Sequence, residues 1–265
     1  MLLWCIICLP QILAAQHSPI RFQHYTTRQG LSSDVLYQIA QDRKGWLWVS
    51  GPVGLNRFNG TGFTHFTHDE KDSSSLPSDG GRIITDKQGT LWSFSEKGLY
   101  WFDEVHENFV PLKNTKSQAV SSVGFDKQNA IWFCTEDGWL WKANNRRAVP
   151  VQMHQFEGVS ISAIMQDRQN RLWVVSDDGL FLYNEKDKSV TGFRDRASGA
   201  INNYFSLFED NEGQLWASSW GDGLKWFEPA SGRFTTYRFN TDKNSTDIQN
   251  FAAAIIQPDN TKPEL

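Results

Sequence analysis

After about residue 20 the chain is a succession of short apolar or alternating runs, and none shows the three-to-four-residue spacing of an amphipathic helix. The clearest are VLYQIAQ before Asp42, LWVS at Leu47 to Ser50, FTHF at Phe63 to Phe66, ISAIMQ before Asp167 and RFTTYRF at Arg233 to Phe239. Runs of this length and make-up predict β-strands. One phrase recurs between them: Asp, two residues, Gly or Asn, one residue, Leu or Ile, Trp. Its copies begin at Asp42, Asp86, Asp126, Asp167 and Asp210, at intervals of 44, 40, 41 and 43 residues, and end on Trp48, Trp92, Trp132, Trp173 and Trp216.

The phrase predicts a tight hairpin between a first and a second strand. An Asp at a turn start bonds the backbone two residues on, and Gly or Asn three later accepts positive φ. Gly54, Gly98, Gly138 and Gly179 follow the repeat Trp by six residues, and Gly223 by seven, which predicts one extra residue or a bulge in that unit. Leu55, Leu99, Trp139, Leu180 and Leu224 come next, and then short aromatic runs that predict a third strand. A fourth is visible at FTHF and RFTTYRF.

Four short strands per unit of about forty residues predict the blade of a β-propeller. One small sheet cannot bury both faces, whereas blades stacked about an axis can. The repeat Trp is expected to wedge between neighbouring blades, contributing roughly 2–3 kcal/mol each. The fold class is therefore all-β: five full four-stranded antiparallel blades over residues 16–247, part of a seven-bladed ring, with partial strands at both ends. Ile20 to Tyr25 resembles a blade's fourth strand that closes the ring, and residues 248–265 open like the first strand of a sixth, truncated blade. The alternative is that both ends combine into one degenerate closing blade.

Composition adds detail. Twelve Trp, eighteen Phe and six Tyr suit half-buried strands. A net charge of −4, with charged residues spread evenly, gives no electrostatic reason to bind nucleic acid or an anionic membrane. Residues 1–15 are apolar, uncharged and interrupted by Pro10, which predicts a secretory signal cleaved near Ala14 to Gln16 and so an exported protein. A buried N-terminal strand is the alternative. Cleavage would remove Cys5 and Cys8, leaving Cys134 alone, without an intrachain disulfide and expected as a small buried strand residue.

The block from Gly30 to Gly60 resembles the opening blade of two-component regulator propellers, the periplasmic sensor region of Bacteroides-type hybrid histidine kinases. Gly30, Leu31, Ser32, Ser33, Asp42, Gly45, Trp48, Gly54, Leu55, Arg57, Phe58, Asn59 and Gly60 fit the family phrase. Pro52 before the Gly-Leu, Asn129 and Asn170 in place of Gly, and Trp139 in place of Leu depart from it. The resemblance implies a periplasmic ligand-sensing module responding to oligosaccharides within a phosphorelay. It also implies as partners the rest of a sensor kinase polypeptide anchored in the inner membrane and a second copy in a homodimer. The kinase region is not within these residues. A stand-alone interaction scaffold and, further off, a secreted carbohydrate-active enzyme remain as alternatives.

Candidate chemistry is sparse. His17, His24, His65, His68, His106 and His154 show no metal-ligand spacing, and each reads as a solvated edge residue. Gly158 to Ser162 is not a nucleophile elbow, because its fifth residue is Ser162. The acidic pairs Glu136–Asp137 and Asp177–Asp178 recur before turn glycines and read as turn residues. No catalytic, cofactor-binding or metal-ligating residue is assigned, so the chain reads as a non-enzyme. Trp139 and Trp220, outside the shared Trp position, are candidates for an exposed aromatic surface, and no ligand-binding residue is named.

Overall fold

The computed structural model describes residues 22–238 apart from 73 and 198. The signal at 1–15, His17, Ile20 and the strand expected within 248–265 lie outside the described residues. Among the described residues twenty strands form five four-stranded sheets, each a meander of antiparallel neighbours in chain order. Blade 1 holds β1 (Gln38–Gln41), β2 (Leu47–Gly51), β3 (Gly54–Phe58) and β4 (Phe63–Phe66). Blade 2 holds β5 (Arg82–Thr85), β6 (Leu91–Ser95), β7 (Gly98–Asp103) and β8 (Asn108–Pro111). Blade 3 holds β9 (Val120–Phe125), β10 (Ile131–Thr135), β11 (Trp139–Ala143) and β12 (Val151–Gln155). Blade 4 holds β13 (Ile161–Gln166), β14 (Leu172–Ser176), β15 (Gly179–Asn184) and β16 (Ser189–Phe193). Blade 5 holds β17 (Tyr204–Glu209), β18 (Leu215–Ser219), β19 (Leu224–Glu228) and β20 (Arg233–Tyr237). A single 3₁₀ turn, Thr27–Gln29, precedes blade 1.

The blades stand in sequence around an inner edge made by their first strands: β1 packs beside β5, β6 against β9, β9 beside β13, and β13 beside β17. Backbones come very close there. A Cβ on Gly124 of β9 would collide with the Ile164 carbonyl of β13. The arrangement is a β-propeller fold.

The core lies between blades. Trp48 packs with Ile83, Leu91 and Phe102 of blade 2; Trp92 with Val123, Ile131 and Phe133 of blade 3. Trp132 packs with Ile164, Leu172 and Tyr183 of blade 4, and Trp173 with Leu207, Leu215 and Phe227 of blade 5. These four indoles are fully buried, while Trp216 of blade 5 is half-buried. The receiving face shows the complementary pattern. Ile83, Val123, Ile164 and Leu207, each three residues before its repeat Asp, are 4–7% exposed, whereas the equivalent Ile39 of blade 1 is 65% exposed. Each blade thus buries its Trp on its successor and its first-strand aliphatic on its predecessor. The wedge expected from the sequence holds wherever a described neighbour exists.

The repeat glycine has a physical cause. Gly54, Gly98, Gly138, Gly179 and Gly223 all have positive φ, and a Cβ on each would strike the carbonyl oxygen of Phe66, Thr115, Phe156, Phe193 or Tyr237, at the end of that blade's fourth strand or beyond it. Positive φ and this close approach together leave room only for glycine.

One expectation is corrected. The apolar residue opposite the fourth position of β10 is Leu140, not Trp139: Cys134 pairs with Leu140 as Phe94 pairs with Leu99. Leu140 is fully buried in the place taken by Leu55, Leu99 and Leu180, and after it the register with β12 shifts, passing over Met153. At the front, the described part of the fourth-strand-like stretch, Phe22 to Tyr25, pairs in no sheet. Tyr25 instead sets its ring on Phe58 and Phe63 at 5.0 and 5.7 Å, against blade 1's own outer strands.

Candidate functional site

The two ends of the blades differ chemically. At one end lie the Asp turns. Asp42 Oδ1 accepts the amides of Lys44 and Trp46 at 2.9 and 3.0 Å, and Oδ2 accepts the Trp48 indole N–H at 2.8 Å. Asp86, Asp126, Asp167 and Asp210 repeat the three bonds, with indole distances of 3.1, 3.1, 2.8 and 2.8 Å. Each carboxylate is consumed by its own hairpin and Trp. Burial alone would raise the Asp210 carboxyl, but the N–H groups of Trp216, Gln214 and Glu212 outweigh it and hold the carboxyl below its ordinary value.

Neighbouring Asp turns are also tied together. The amide after each repeat Asp donates into the next blade: Arg43 to Gly89 O at 3.1 Å, Lys87 to Asn129 Oδ1 at 3.0 Å, Lys127 to Gln166 Oε1 at 2.7 Å and Arg168 to Glu209 Oε2 at 2.8 Å. The basic side chains at these positions serve the same tie. Lys127 Nζ donates to Arg168 O, and Arg168 Nη1 to Asn211 O.

At the other end, blade 5 carries a buried ionic cluster. Lys225, fully buried, places Nζ 2.6 Å from both Asp195 and Asp222, with the Thr236 hydroxyl at 3.2 Å. Arg238 adds a second cation to Asp222 through Nε at 2.7 Å. Burial alone would raise Asp195, but the Lys225 bond, the Ala197 amide and Thr236 outweigh it, and the carboxyl lies below its ordinary value. The cluster joins the linker between blades 4 and 5 to the β18–β19 turn. That turn carries Trp220, 52% exposed, whose ring meets Phe205 at 5.2 Å. Trp139 is only half-buried. Of the two aromatics singled out from the sequence, Trp220 is the more exposed, and the cluster that anchors it gave no sequence signal because Lys225 is far in sequence from Asp195.

Other candidates resolve into structure. Asp177 Oδ1 accepts the Ser160 amide at 2.9 Å, Asp178 pairs with Arg194, and Asp137 accepts the Thr135 hydroxyl at 2.5 Å. The acidic pairs are turn residues, as read from the sequence. His65 and His68 bond the carbonyls of Gly30 and Leu76, His106 bonds Asp103, and burial lowers the pKa of His154 between Phe156 and Tyr183. Among the described residues no group of three or more His, Cys, Asp or Glu could hold a metal. Cys134 is buried, and burial pushes its thiol well up. A cleft of about 640 Å³ opens between the outer edges of blades 4 and 5, with Arg194, Arg196 and Arg233 on its walls above Phe193 and Phe234.

Blades of this kind, each held by an Asp–Trp clasp, define a β-propeller. Residues 155–178 and 198–221, the entrances to blades 4 and 5, match the model of the two component regulator propeller family. A histidine kinase, P4, of Formosa agariphila is 39% identical over 64 residues, which cover 24% of this chain and 5% of the kinase. The extracellular domain of a putative hybrid two component system from B. thetaiotaomicron superposes with a TM-score of 0.69 at 23% identity, covering 82% of this chain and 32% of that one. Virginiamycin B lyase of Staphylococcus aureus superposes with a TM-score of 0.62 at 15% identity, covering 77% and 69%. Sensor domains and an enzyme thus share the fold. This chain spans about a third of the matched sensor domain and a small fraction of the matched kinase. No helix among the described residues is long and apolar enough to cross a membrane.

Proposed function

We propose that this chain is the periplasmic ligand-sensing propeller of a hybrid two-component histidine kinase, set in a ring of seven blades and responding to oligosaccharides. The family match over blades 4 and 5 carries the reading. An exposed Trp220 on the turn that the Lys225 cluster braces, and a separate arginine-walled cleft between blades 4 and 5, suit stacking and hydrogen bonding to a sugar chain. The blade itself binds and does not catalyse. The kinase it signals to, the inner-membrane anchor and the homodimer follow from the same reading. A thermal-shift screen of the full chain against plant and host oligosaccharides tests it. A concentration-dependent rise in Tm with one glycan supports it; no rise with any glycan removes the ligand, and hydrolysis of one removes the non-enzyme assignment.

A second reading has its own observation. Val35, Leu36, Tyr37 and Ile39 are exposed together at the entrance to blade 1. A contiguous apolar patch of this kind suits protein–protein contact, as an interaction scaffold would require. Concentration-dependent association of the chain, abolished by Ile39→Lys, would favour that reading.

A further inference from the structure

The crevice between blades 2 and 3 differs from the other described junctions in what lies over the repeat indole. At the first junction Arg57 of β3, paired in register with Trp48, lies 4.5 Å from the centroid of Trp46 and 5.5 Å from that of Trp48, and donates to Glu107 of blade 2 at 2.8 Å. At the third, Lys142 of β11, paired with Trp132, lies 4.7 Å from its centroid and donates to Glu185 of blade 4 at 2.7 Å. At the fourth, Arg171 lies 5.3 Å from the centroid of Trp173. At the second junction the position opposite Trp92 is Trp101, and the cation comes from the other side: Arg146 of blade 3 lies 4.3 Å from the Trp101 centroid. A long cationic side chain therefore does not fill the space above Trp92, and a crevice of about 180 Å³ stays open there.

Its lining is amide-rich. Gln88, Gln128, Asn129, Asn144 and Asn145 line it with Arg146, over Asp86, Thr90 and Trp92. Asp86 is spent on the Gln88 and Thr90 amides and the Trp92 indole. Asn129 accepts the Lys87 amide, and Asn145 accepts the amides of Arg147 and Ala148, which fixes their carbonyl ends. Among the described residues, the side chains of Gln88, Gln128 and Asn144 bond no other protein group. A primary amide offers a donor and an acceptor side by side, the match for neighbouring hydroxyls. An apolar guest would leave these groups unpaired. An anionic guest would meet the Asp86 charge, with the one cation already laid on Trp101.

We propose that this crevice is a subsite for one neutral pyranose unit, gripped by amide side chains from both blades. The proposal rests on the oligosaccharide reading and specifies where, and of what charge, one sugar is held. The test uses the full chain and saturation-transfer NMR with the methyl glycosides of glucose, galactose, mannose and xylose, and methyl glucuronoside as the anionic probe. At least one neutral glycoside should receive saturation, and Gln128→Ala with Asn144→Ala should weaken it tenfold or more. Both residues are exposed, so an unchanged Tm checks the fold. No transfer to any neutral glycoside, transfer unaltered in the double variant, or stronger transfer to the glucuronoside would overturn the subsite. Oligosaccharide binding by thermal shift that survives the double variant would sink the subsite and leave the sensing reading standing; loss of all glycan binding by the parent chain would sink both.

Discussion

The indole N–H of Trp173 donates to Asp167 Oδ2 at 2.8 Å with both residues buried, and the same carboxylate holds the hairpin that leads to that Trp. One side chain thus fixes a turn and aims the largest apolar group of the blade. In Asp167→Ala the turn amides lose their acceptor and the buried indole N–H is left unpaired. The expected cost is about 3 kcal/mol, read as a lower denaturant midpoint at unchanged slope. Asp210→Ala should cost about half as much, because Trp216 is half-buried and water can replace the carboxylate. Equal losses would show that burial of the clasp is not what gives it its value.

Gly124 separates steric from conformational cost. Its φ is ordinary, yet a Cβ would overlap the Ile164 carbonyl of the next blade, so Gly124→Ala must push β9 and β13 apart. Gly60 has φ of 98° and open space around it, so Gly60→Ala should cost only about 1 kcal/mol from the left-handed backbone. Gly124→Ala should cost about 3 kcal/mol or more. Urea unfolding of the two variants side by side decides the order.

Lys225 should be the costliest single charge to remove. Lys225→Met leaves Asp195 buried without its main partner, at about 3–5 kcal/mol. The pH dependence follows from the lowered Asp195 carboxyl. A depressed carboxyl contributes stability that is present above its ordinary value of 3.8 and is lost as pH falls through the lower folded value. Unfolding free energy measured from pH 7 down to pH 3 should therefore fall in the acid range in the parent chain and more gently in Lys225→Met. Parallel acid limbs would remove Asp195 from the account.

Cys134 should be silent in the folded protein. Burial raises its thiol, and its side chain has no exposure, so iodoacetamide at pH 8 should alkylate it at least about 100-fold more slowly than in urea. Peptide mass mapping of the Cys134 site reads this directly. Fast labelling in the native chain would mean that blade 3 opens easily.

The features that the sequence displayed are those a single hairpin encodes. Asp86, Gly89 and Trp92 stand within seven residues, and turn chemistry alone relates them. The burial of Ile83, Val123, Ile164 and Leu207 beside an exposed Ile39 could be anticipated only as stacking. Trp139 misled because Gly138 is followed by one residue more than the pattern allows, and the register of β11 on β10, invisible in composition, puts Leu140 in the core instead. The Lys225 cluster and the amide crevice were illegible for another reason. Their defining pairs, Asp195 with Lys225 and Gln88 with Asn144, lie some thirty to sixty positions apart, and no local pattern joins those.

The clasp between Asp and Trp closes inside one blade, while the indole it orients spends its apolar surface on the following one. Assembly therefore has a direction. A finished blade offers its successor a prepared, rigid platform, whereas an unfinished one offers its successor's aliphatics only loose chain. For a polypeptide made amino end first, each newly exposed repeat would meet a template already in place.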